Sequence, residues 1–430
     1  MGPFIGNGMI LFRMRRLLPF LASGMIACAE KPAPAPAAGS DANLAHANAV
    51  LAATPVMDGH NDLPWRIRED TVARGDASKY DLTHAPGMTD IPRLKAGHLG
   101  AQFWSVYIPG DSAKYGYAKM QAEQIRTAKA FVARYPDTFV WALTAHEIRD
   151  AMKSGRIASL MGVEGGHAIE NNLDSLRSYY RQGARYMTLT HNVTLDWADA
   201  ALDSAKHAGL TAFGESVVKE MNKLGMLVDL SHVSDATMSD ALNTTEAPVI
   251  FSHSAARALT DHRRDVPDSI LQRLPKNGGV VMVTFVPSFV SQEVNEYDKR
   301  RDAVFDSVKK ATKDTAAIAR ADTAWVRANA SPRATIAQVA DHIEHVRKVA
   351  GIDHVGIGSD FDGITETVVG LDDVSKYPAL FAALIARGWS DEDLKKLASE
   401  NVLRVLEEAE HVAARLKAAK PATKAATKKP

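Results

Sequence analysis

The chain carries a single cysteine, Cys28, among its 430 residues, and this cysteine lies close to the N-terminus. The body beyond it can form no internal disulfide and offers no thiolate, so a metal site there would need imidazole and carboxylate ligands. Acidic and basic side chains balance at 51 each, and this neutrality argues against a nucleic-acid partner. The body also lacks an apolar run of about 18 residues, so we expect no membrane-spanning helix in it.

Short apolar segments recur along the body and indicate buried strands. The eight segments are Pro55–Met57, Leu99–Ile108, Ile157–Val163, Ala184–Thr190, Met226–Leu230, Pro248–Ser252, Gly279–Phe285 and His354–Ser359. Amphipathic stretches of helical length separate them, among them Leu173–Gln182, Ala212–Leu224 and Ser234–Leu242. Because strands that alternate with helices form parallel sheets, eight such units predict an α/β fold, a closed (β/α)8 TIM-like barrel.

Titratable residues follow several of these strands directly. They are His60 and Asp62 after the first strand, Glu164 after the third, and His232 and His253 after the fifth and sixth. Because the C-terminal strand ends of a barrel form one rim, these side chains should converge there. Three imidazoles and two carboxylates suit zinc best, with manganese or cobalt left open. Five ligands are too many for one catalytic zinc, but they suit two ions if a carboxylate bridges them.

Nine stretches of the chain together resemble the membrane dipeptidase (renal dipeptidase) family of zinc peptidases, within the amidohydrolase-like barrels. They are Asp58–Pro64, Gly162–His167, Thr188–Asn192, Val228–Ser234, Phe251–Ser254, Arg263–Asp268, Gly278–Val283, Asp360–Gly363 and Asp373–Pro378. The resemblance covers roughly residues 54–408, which is nearly the whole predicted barrel.

This resemblance implies a cofactor of two zinc ions per chain. His60 and Asp62 would hold one ion, and His232 and His253 would hold the other. Glu164 would bridge the two ions, a role that a carboxylate with two oxygens can take and an imidazole cannot.

Three further residues receive roles from the same resemblance. His191 would stabilise the tetrahedral oxyanion, and Arg264 would pair with the terminal carboxylate of the substrate. Asp360 would take the proton of the bridging water and pass it to the leaving amine. The implied activity is the hydrolysis of dipeptides with a free C-terminal carboxylate by a hydroxide that bridges the metal ions.

Two other functions stay open at this point. One is another amide or lactone hydrolase on the same barrel, although His60-Asn61-Asp62 differs from the His-x-His of other amidohydrolases. The second is a catalytically silent binding lipoprotein, which the intact set of eight site residues argues against. The expected partners are a dipeptide substrate and a membrane, with no nucleic acid and with a homodimer left open.

The N-terminal residues indicate a targeting segment. Arg13, Arg15 and Arg16 precede the apolar stretch Leu17–Ala27, and Cys28 follows it. This order resembles a bacterial lipoprotein signal, in which the cysteine is lipidated, and an ordinary secretory signal is the alternative. We therefore expect an exported protein, anchored to a membrane on its periplasmic side. The residue after the cysteine is alanine and not aspartate, which favours the outer membrane.

The domain organisation follows from these segments. The prediction assigns 1–28 to the signal peptide, 29–50 to a Pro/Ala-rich linker, 51–412 to the metallo-dipeptidase barrel and 413–430 to a disordered Lys/Ala/Pro tail. Within the barrel, residues 291–331 carry helical charge patterning and predict a helical insertion between the last two strands.

Lipidation of Cys28 can be tested by mass spectrometry of the native N-terminus. We expect a mature chain that begins at an acylated Cys28 and fractionates with membranes, since several acyl chains anchor a protein stably. Cys28→Ser should abolish this processing. A soluble mature chain with an unmodified N-terminus elsewhere would show that the leader is an ordinary secretory signal.

Overall fold

The computed structural model describes residues 38–419, with side chains from residue 41 onward. The predicted signal peptide and Cys28 lie outside the described residues, as do residues 420–430 of the predicted tail. No helix within the described part of the chain is both long and apolar enough to cross a membrane.

Nine parallel strands form one sheet. They are β1 (Val56–Asn61), β2 (Leu99–Ser105), β3 (Phe139–Trp141), β4 (Ile157–Glu164), β5 (Ala184–Thr188), β6 (Leu227–Asp229), β7 (Ile250–Ser254), β8 (Val280–Val283) and β9 (Val355–Ile357). Pairing of β2 with β4 and of β1 with β9 closes eight of them into a barrel, in the order β1-β2-β4-β5-β6-β7-β8-β9. The structure confirms the predicted (β/α)8 barrel. Strand β3, which pairs beside the start of β4, was not predicted.

Seventeen α-helices accompany the strands within residues 38–419. They are α1 (Ala38–Ala53), α2 (Leu63–Glu69), α3 (Ile91–Ala96), α4 (Tyr117–Arg134), α5 (Ala145–Lys153), α6 (Leu173–Arg181), α7 (Ala212–Leu224), α8 (Asp235–Thr244), α9 (Asp268–Leu271), α10 (Leu274–Asn277), α11 (Pro287–Val290), α12 (Gln292–Ala311), α13 (Thr315–Ala328), α14 (Ile336–Ala350), α15 (Tyr377–Ala386), α16 (Asp391–Lys395) and α17 (Asn401–Ala418). Helices α12 and α13 lie between β8 and β9, so the segment 291–331 is helical as the charge pattern predicts.

Local sequence sets the ends of these helices. At α7, the Thr211 side chain accepts a hydrogen bond from Gly214 N at the start, and Gly225 adopts a left-handed conformation at the end. At α8, the Ser234 side chain accepts from Thr237 N in the same way. These signals explain why both helices lie where the apolar periodicity predicts them.

The barrel interior is apolar at its N-terminal end. Phe103, Leu160 and Leu227 belong to one buried cluster with Val402 and Leu406 of α17. Because side chains alternate between the two faces of a strand, the intervening strand residues pack outward against the surrounding helices. The filled interior leaves the C-terminal strand ends as the place for polar groups.

The structure differs from the predicted domain boundaries at both ends of the barrel. Helix α1 begins at Ala38, so much of the predicted linker 29–50 is helical, and α1 packs against α15. Ala47 and Val50 on this helix are buried. Helix α17 continues to Ala418, six residues beyond the predicted end of the barrel at residue 412.

The contribution of α1 to stability can be measured by urea unfolding. Leu51 is fully buried on α1, whereas Leu44 is 40% exposed on the same helix. We expect Leu51→Ala to lower the free energy of unfolding by about 2–5 kcal/mol and Leu44→Ala to change it by less than about 0.5 kcal/mol. Two equally small effects would contradict the packing of α1 onto the barrel.

Candidate metal centre

The predicted site residues all lie at the C-terminal rim of the barrel. His60 is on β1, Glu164 ends β4 and His253 is on β7, while Asp62 follows β1 directly. Loops after β5, β6, β7 and β9 carry His191, His232, Arg264 and Asp360, respectively. The five predicted metal ligands are buried, with at most 7% of any of them exposed. The fold therefore brings together residues that are 300 positions apart, from residue 60 to residue 360.

Glu164 lies between imidazoles from several strands. Its Oε1 is 3.1 Å from His232 Nε2 and 3.5 Å from His253 Nε2. Its Oε2 is 3.5 Å from His60 Nε2 and accepts a hydrogen bond of 3.1 Å from Ser105 Oγ. The two oxygens of one carboxylate thus face different imidazoles.

Atoms that can bind a metal ion fall into three overlapping groups. They are His60, Glu164 and His253; Glu164, His191 and His232; and His60, Asp62 and Asp360, each with ligand atoms within 4.8 Å of one another. The first group shares Glu164 with the second and His60 with the third. Such sharing is typical of two neighbouring ions and not of separate sites.

Three of the imidazoles are held from behind through their Nδ1 atoms. The partner of His60 Nδ1 is the Tyr186 hydroxyl at 2.8 Å, and the partner of His232 Nδ1 is Asn192 Oδ1 at 3.0 Å. His253 Nδ1 lies 2.9 Å from the hydroxyl of the preceding serine. Each Nε2 therefore points to the centre, which is the usual arrangement of histidine ligands.

Two site residues have an unusual backbone conformation. His232 has φ of 69° and Asp360 has φ of 66°, which is rare for residues other than glycine. Strain of this kind persists where the surrounding structure fixes the residue, and it concentrates at functional sites. Here it directs both side chains toward the same pocket.

The donor set fits a divalent metal. Among the described residues, Asp62 Oδ1 is buried without a hydrogen-bond partner, although a buried carboxylate oxygen normally has one. Its other oxygen lies 3.2 Å from His60 Nε2. A carboxylate that has one unpartnered oxygen and places the other beside an imidazole nitrogen is an arrangement that a cation would complete.

The electrostatics also favour cations. Burial raises the pKa of the Glu164 carboxyl, and it raises the pKa of Asp360 well above its usual range, with the Asp62 charge acting in the same direction on both. Burial, aided by the positive charge of Arg264, lowers the pKa of His232 well below its usual range. A bound divalent cation would offset the free-energy cost of burying these carboxylate charges. It would also favour the neutral form of the imidazoles that bind it.

His60 is the exception among these imidazoles. Burial alone would lower its pKa, but the influence of Tyr186, Glu164 and Asp62 raises it well above the usual range. His60 thus lies beside the carboxylates of Asp62 and Glu164, whose negative charge would also attract a cation.

Arg264 is the arginine that enters the site. It is 2% exposed, whereas the neighbouring Arg263 faces solvent. Its guanidinium lies over the Phe289 ring at 5.3 Å, and its Nη2 donates to His253 O at 3.4 Å. Burial lowers the pKa of Arg264 to about 10. Within residues 41–419 its Nη1 has no hydrogen-bond partner, so one N–H group remains available to an anionic ligand.

His191 and Asp360 border the same pocket but are less buried than the predicted ligands. The His191 side chain is 15% exposed, with Nε2 3.8 Å from Glu164 Oε1 and its ring 4.8 Å from Tyr107. The Asp360 side chain is also 15% exposed, with Oδ1 4.0 Å from His60 Nε2. Burial lowers the pKa of His191 well below its usual range. Both side chains can therefore reach a bound ligand.

Sequence reasoning did not identify the residues that support the ligands. Tyr186 and Asn192 contact the outer nitrogens of two histidines, and Ser252 contacts a third. Tyr186 lies inside a strand, where its side chain cannot be distinguished from a core aromatic. Ser252 and Asn192 directly adjoin predicted site residues, His253 and His191, and that adjacency was the available signal.

Comparison with known proteins identifies the family of the chain. The family model for membrane dipeptidases, peptidase family M19, matches residues 44–420 of the chain. The matched region includes the whole barrel and all eight site residues.

Several solved structures are similar to this one. The probable dipeptidase PvdM from Pseudomonas aeruginosa has 23% identity and a TM-score of 0.76, over 87% of this chain and 100% of that one, which supports the fold. The dipeptidase AC, an M19 metallopeptidase, has 25% identity and a TM-score of 0.68, over 83% and 98% of the two chains. A metallopeptidase from Rhodobacter sphaeroides, solved with a phosphinate mimic of the dipeptide L-Ala-D-Ala, has 26% identity and a TM-score of 0.67, over 83% and 99%.

The close packing around the Asp62 and Asp360 carboxylates can be tested by adding a methyl group at Gly363. A Cβ atom there would overlap Asp62 Oδ2 and would lie 2.5 Å from Asp360 Oδ1. We expect Gly363→Ala to weaken metal binding at least about tenfold in a chelator competition, because both carboxylates must move. Gly110→Ala is the control, since its Cβ would make looser contacts, of which the nearest is Val193 Cγ2 at 3.3 Å. Equal metal affinity in both variants would contradict the proposed proximity.

Proposed function

The chain belongs to the membrane dipeptidase family, peptidase family M19, and we propose that it is a binuclear zinc dipeptidase acting on dipeptides with a free C-terminal carboxylate. The observation that carries the proposal is the position of Glu164 between the imidazoles of His60 and His232, with a buried arginine on the same rim. The dipeptide mimic bound to the Rhodobacter sphaeroides protein supports a dipeptide as the ligand of this pocket.

His60 and Asp62 would hold one zinc ion, His232 and His253 would hold the other, and Glu164 would bridge them. The absence of cysteine from the body and the three inward-facing Nε2 atoms support this ligand set. When bound, the two ions would supply Lewis acidity and would lower the pKa of the attacking water.

Arg264 would bind the C-terminal carboxylate of the substrate. The Nη1 group without a partner supports this role, as does burial, because a charge-assisted hydrogen bond is stronger away from water. A guanidinium in a buried pocket is also costly without an anion, so the substrate would complete the site. The same contact would select dipeptides over peptides whose carboxylate lies further from the scissile bond.

His191 and Asp360 would act on the reacting atoms. His191 would donate from Nε2 to the oxygen of the scissile carbonyl as negative charge develops there. Asp360 would accept a proton from the attacking water at its carboxylate and would deliver it to the nitrogen of the leaving amine. Their greater exposure within the pocket supports contact with the substrate.

We further propose that the protein is an exported lipoprotein attached through Cys28. The arginines, the apolar stretch and the single cysteine support this location. Helix α1 begins at Ala38, so only a short segment would separate the lipid from the barrel. A homodimer stays a prediction.

The proposed substrate can be tested by comparing dipeptides with their C-terminal amides. We expect the wild-type enzyme to show a higher kcat/KM for the free acid than for the amide, since the amide cannot form the charged pair with Arg264. The ratio should correspond to roughly 2–5 kcal/mol of transition-state binding. Arg264→Ala should erase this difference, and Arg264→Lys should restore only part of it because lysine lacks the planar fork.

Equal rates for acid and amide in the wild type would contradict the role of Arg264. Metal binding without hydrolysis of any dipeptide in a panel of L,L and L,D substrates would instead favour a silent binding protein. Hydrolysis of lactones or of other amides in place of dipeptides would favour the alternative hydrolase.

A further inference from the structure

A further buried carboxylate, Asp229, lies beneath the candidate metal centre at the end of β6. It is fully buried and belongs to none of the groups of metal-ligand atoms. Its Oδ2 accepts hydrogen bonds from Thr188 Oγ1 at 2.5 Å and from Ser252 Oγ at 2.6 Å. Its Oδ1 accepts from the backbone N–H of Ser231 at 3.1 Å and of Ser252 at 2.8 Å. All four contacts are donors to Asp229, so the carboxylate connects three neighbouring strands as an acceptor only.

One of these four donors, the Ser252 hydroxyl, also contacts a predicted metal ligand. Ser252 Oγ lies 2.9 Å from His253 Nδ1. The single hydroxyl proton of Ser252 is directed to Asp229, so this oxygen must accept a hydrogen bond from His253 Nδ1–H. That assignment places the lone pair of His253 on Nε2, which faces Glu164 Oε1 at 3.5 Å. A chain of two hydrogen bonds therefore joins Asp229 to the metal side of the imidazole.

The other two histidine ligands have no such chain. His60 Nδ1 meets the Tyr186 hydroxyl, and His232 Nδ1 meets the amide oxygen of Asn192. Asp58 is equally buried and lies two residues before His60, but no imidazole ring donates to it. Its donors are the backbone N–H groups of His60 and Ser359 and the side chains of Gln102 and Tyr377. Only His253 is backed by a carboxylate among the histidines of the described site.

We propose that Asp229 is a positioning residue that acts through Ser252 on His253, and that it strengthens selectively the binding of the metal ion held by His253. Carboxylates behind histidine ligands fix the ring orientation and raise the donor strength of the nitrogen that binds the metal. The inference rests on the proposed two-metal site. It adds an asymmetry to that site, since the ion held by His60 and Asp62 would receive no comparable support.

The experiment measures zinc affinity for each of the two ions by chelator competition, together with the d–d spectrum of the cobalt-substituted protein. The test variants are Asp229→Asn and Ser252→Ala, which break the chain at different points. We expect both to weaken one ion about 10–100-fold, to leave the other unchanged and to alter the cobalt spectrum of one site. Melting temperatures of the metal-free proteins report any loss of stability separately.

Two matched controls each remove a buried hydrogen bond but keep the contacts that join Asp229, Ser252 and His253. Thr188→Val deletes the other hydroxyl that donates to Asp229 Oδ2, and Asp58→Asn alters the buried carboxylate that serves the backbone of His60. We expect both controls to lower the melting temperature of the metal-free protein without changing either zinc affinity.

The role of Asp229 would be overturned if Asp229→Asn and Ser252→Ala kept both affinities, or if all four variants lost affinity in proportion to their stability. A wild-type protein that binds one ion would contradict the two-metal proposal instead. In that case the effect of the two test variants on that single ion would still decide whether Asp229 acts through Ser252.

Discussion

The structure depends on one buried carboxylate, Glu164, that several imidazoles approach within 4 Å. Removing these groups from water is costly, and the donor atoms cannot all satisfy one another by hydrogen bonds. Bound cations would offset this cost, so we expect metal binding to stabilise the rim. The cost of burying these groups is therefore a constraint that metal binding and the local fold of the rim must satisfy together.

The barrel meets this constraint by changing the polarity of its interior along each strand. Phe103, Tyr186 and Leu227 fill the interior near the N-terminal end. Two residues further on the same faces are Ser105, Thr188 and Asp229. Side chains two residues apart lie on the same face of a strand, so the next inward-facing position on each strand forms the next layer of the interior. Polar residues at these positions therefore place a layer of hydrogen-bonding groups directly above the apolar layer. That polar layer supports the histidines and carboxylates of the rim above it.

The sequence allowed the barrel to be predicted, and with it the convergence of the eight candidate site residues at its rim, because titratable residues follow apolar segments at regular intervals; the roles of these residues stay predictions. It did not reveal β3, whose three residues are too few to produce a pattern. It also did not indicate helix α1, because this alanine-rich helix adjoins a proline-rich stretch and carries little polar alternation. Asp229 and Tyr186 were missed since their importance arises from contacts between strands, which a linear pattern does not show.

The most direct test of the account is a crystal structure of the zinc-loaded protein with anomalous diffraction measured on both sides of the zinc edge. We expect two anomalous peaks about 3.5–4 Å apart, with one oxygen of Glu164 directed to each. His60 and Asp62 should contact one peak, and His232 and His253 the other. A single peak, or two peaks without Glu164 between them, would contradict the bridged two-metal centre.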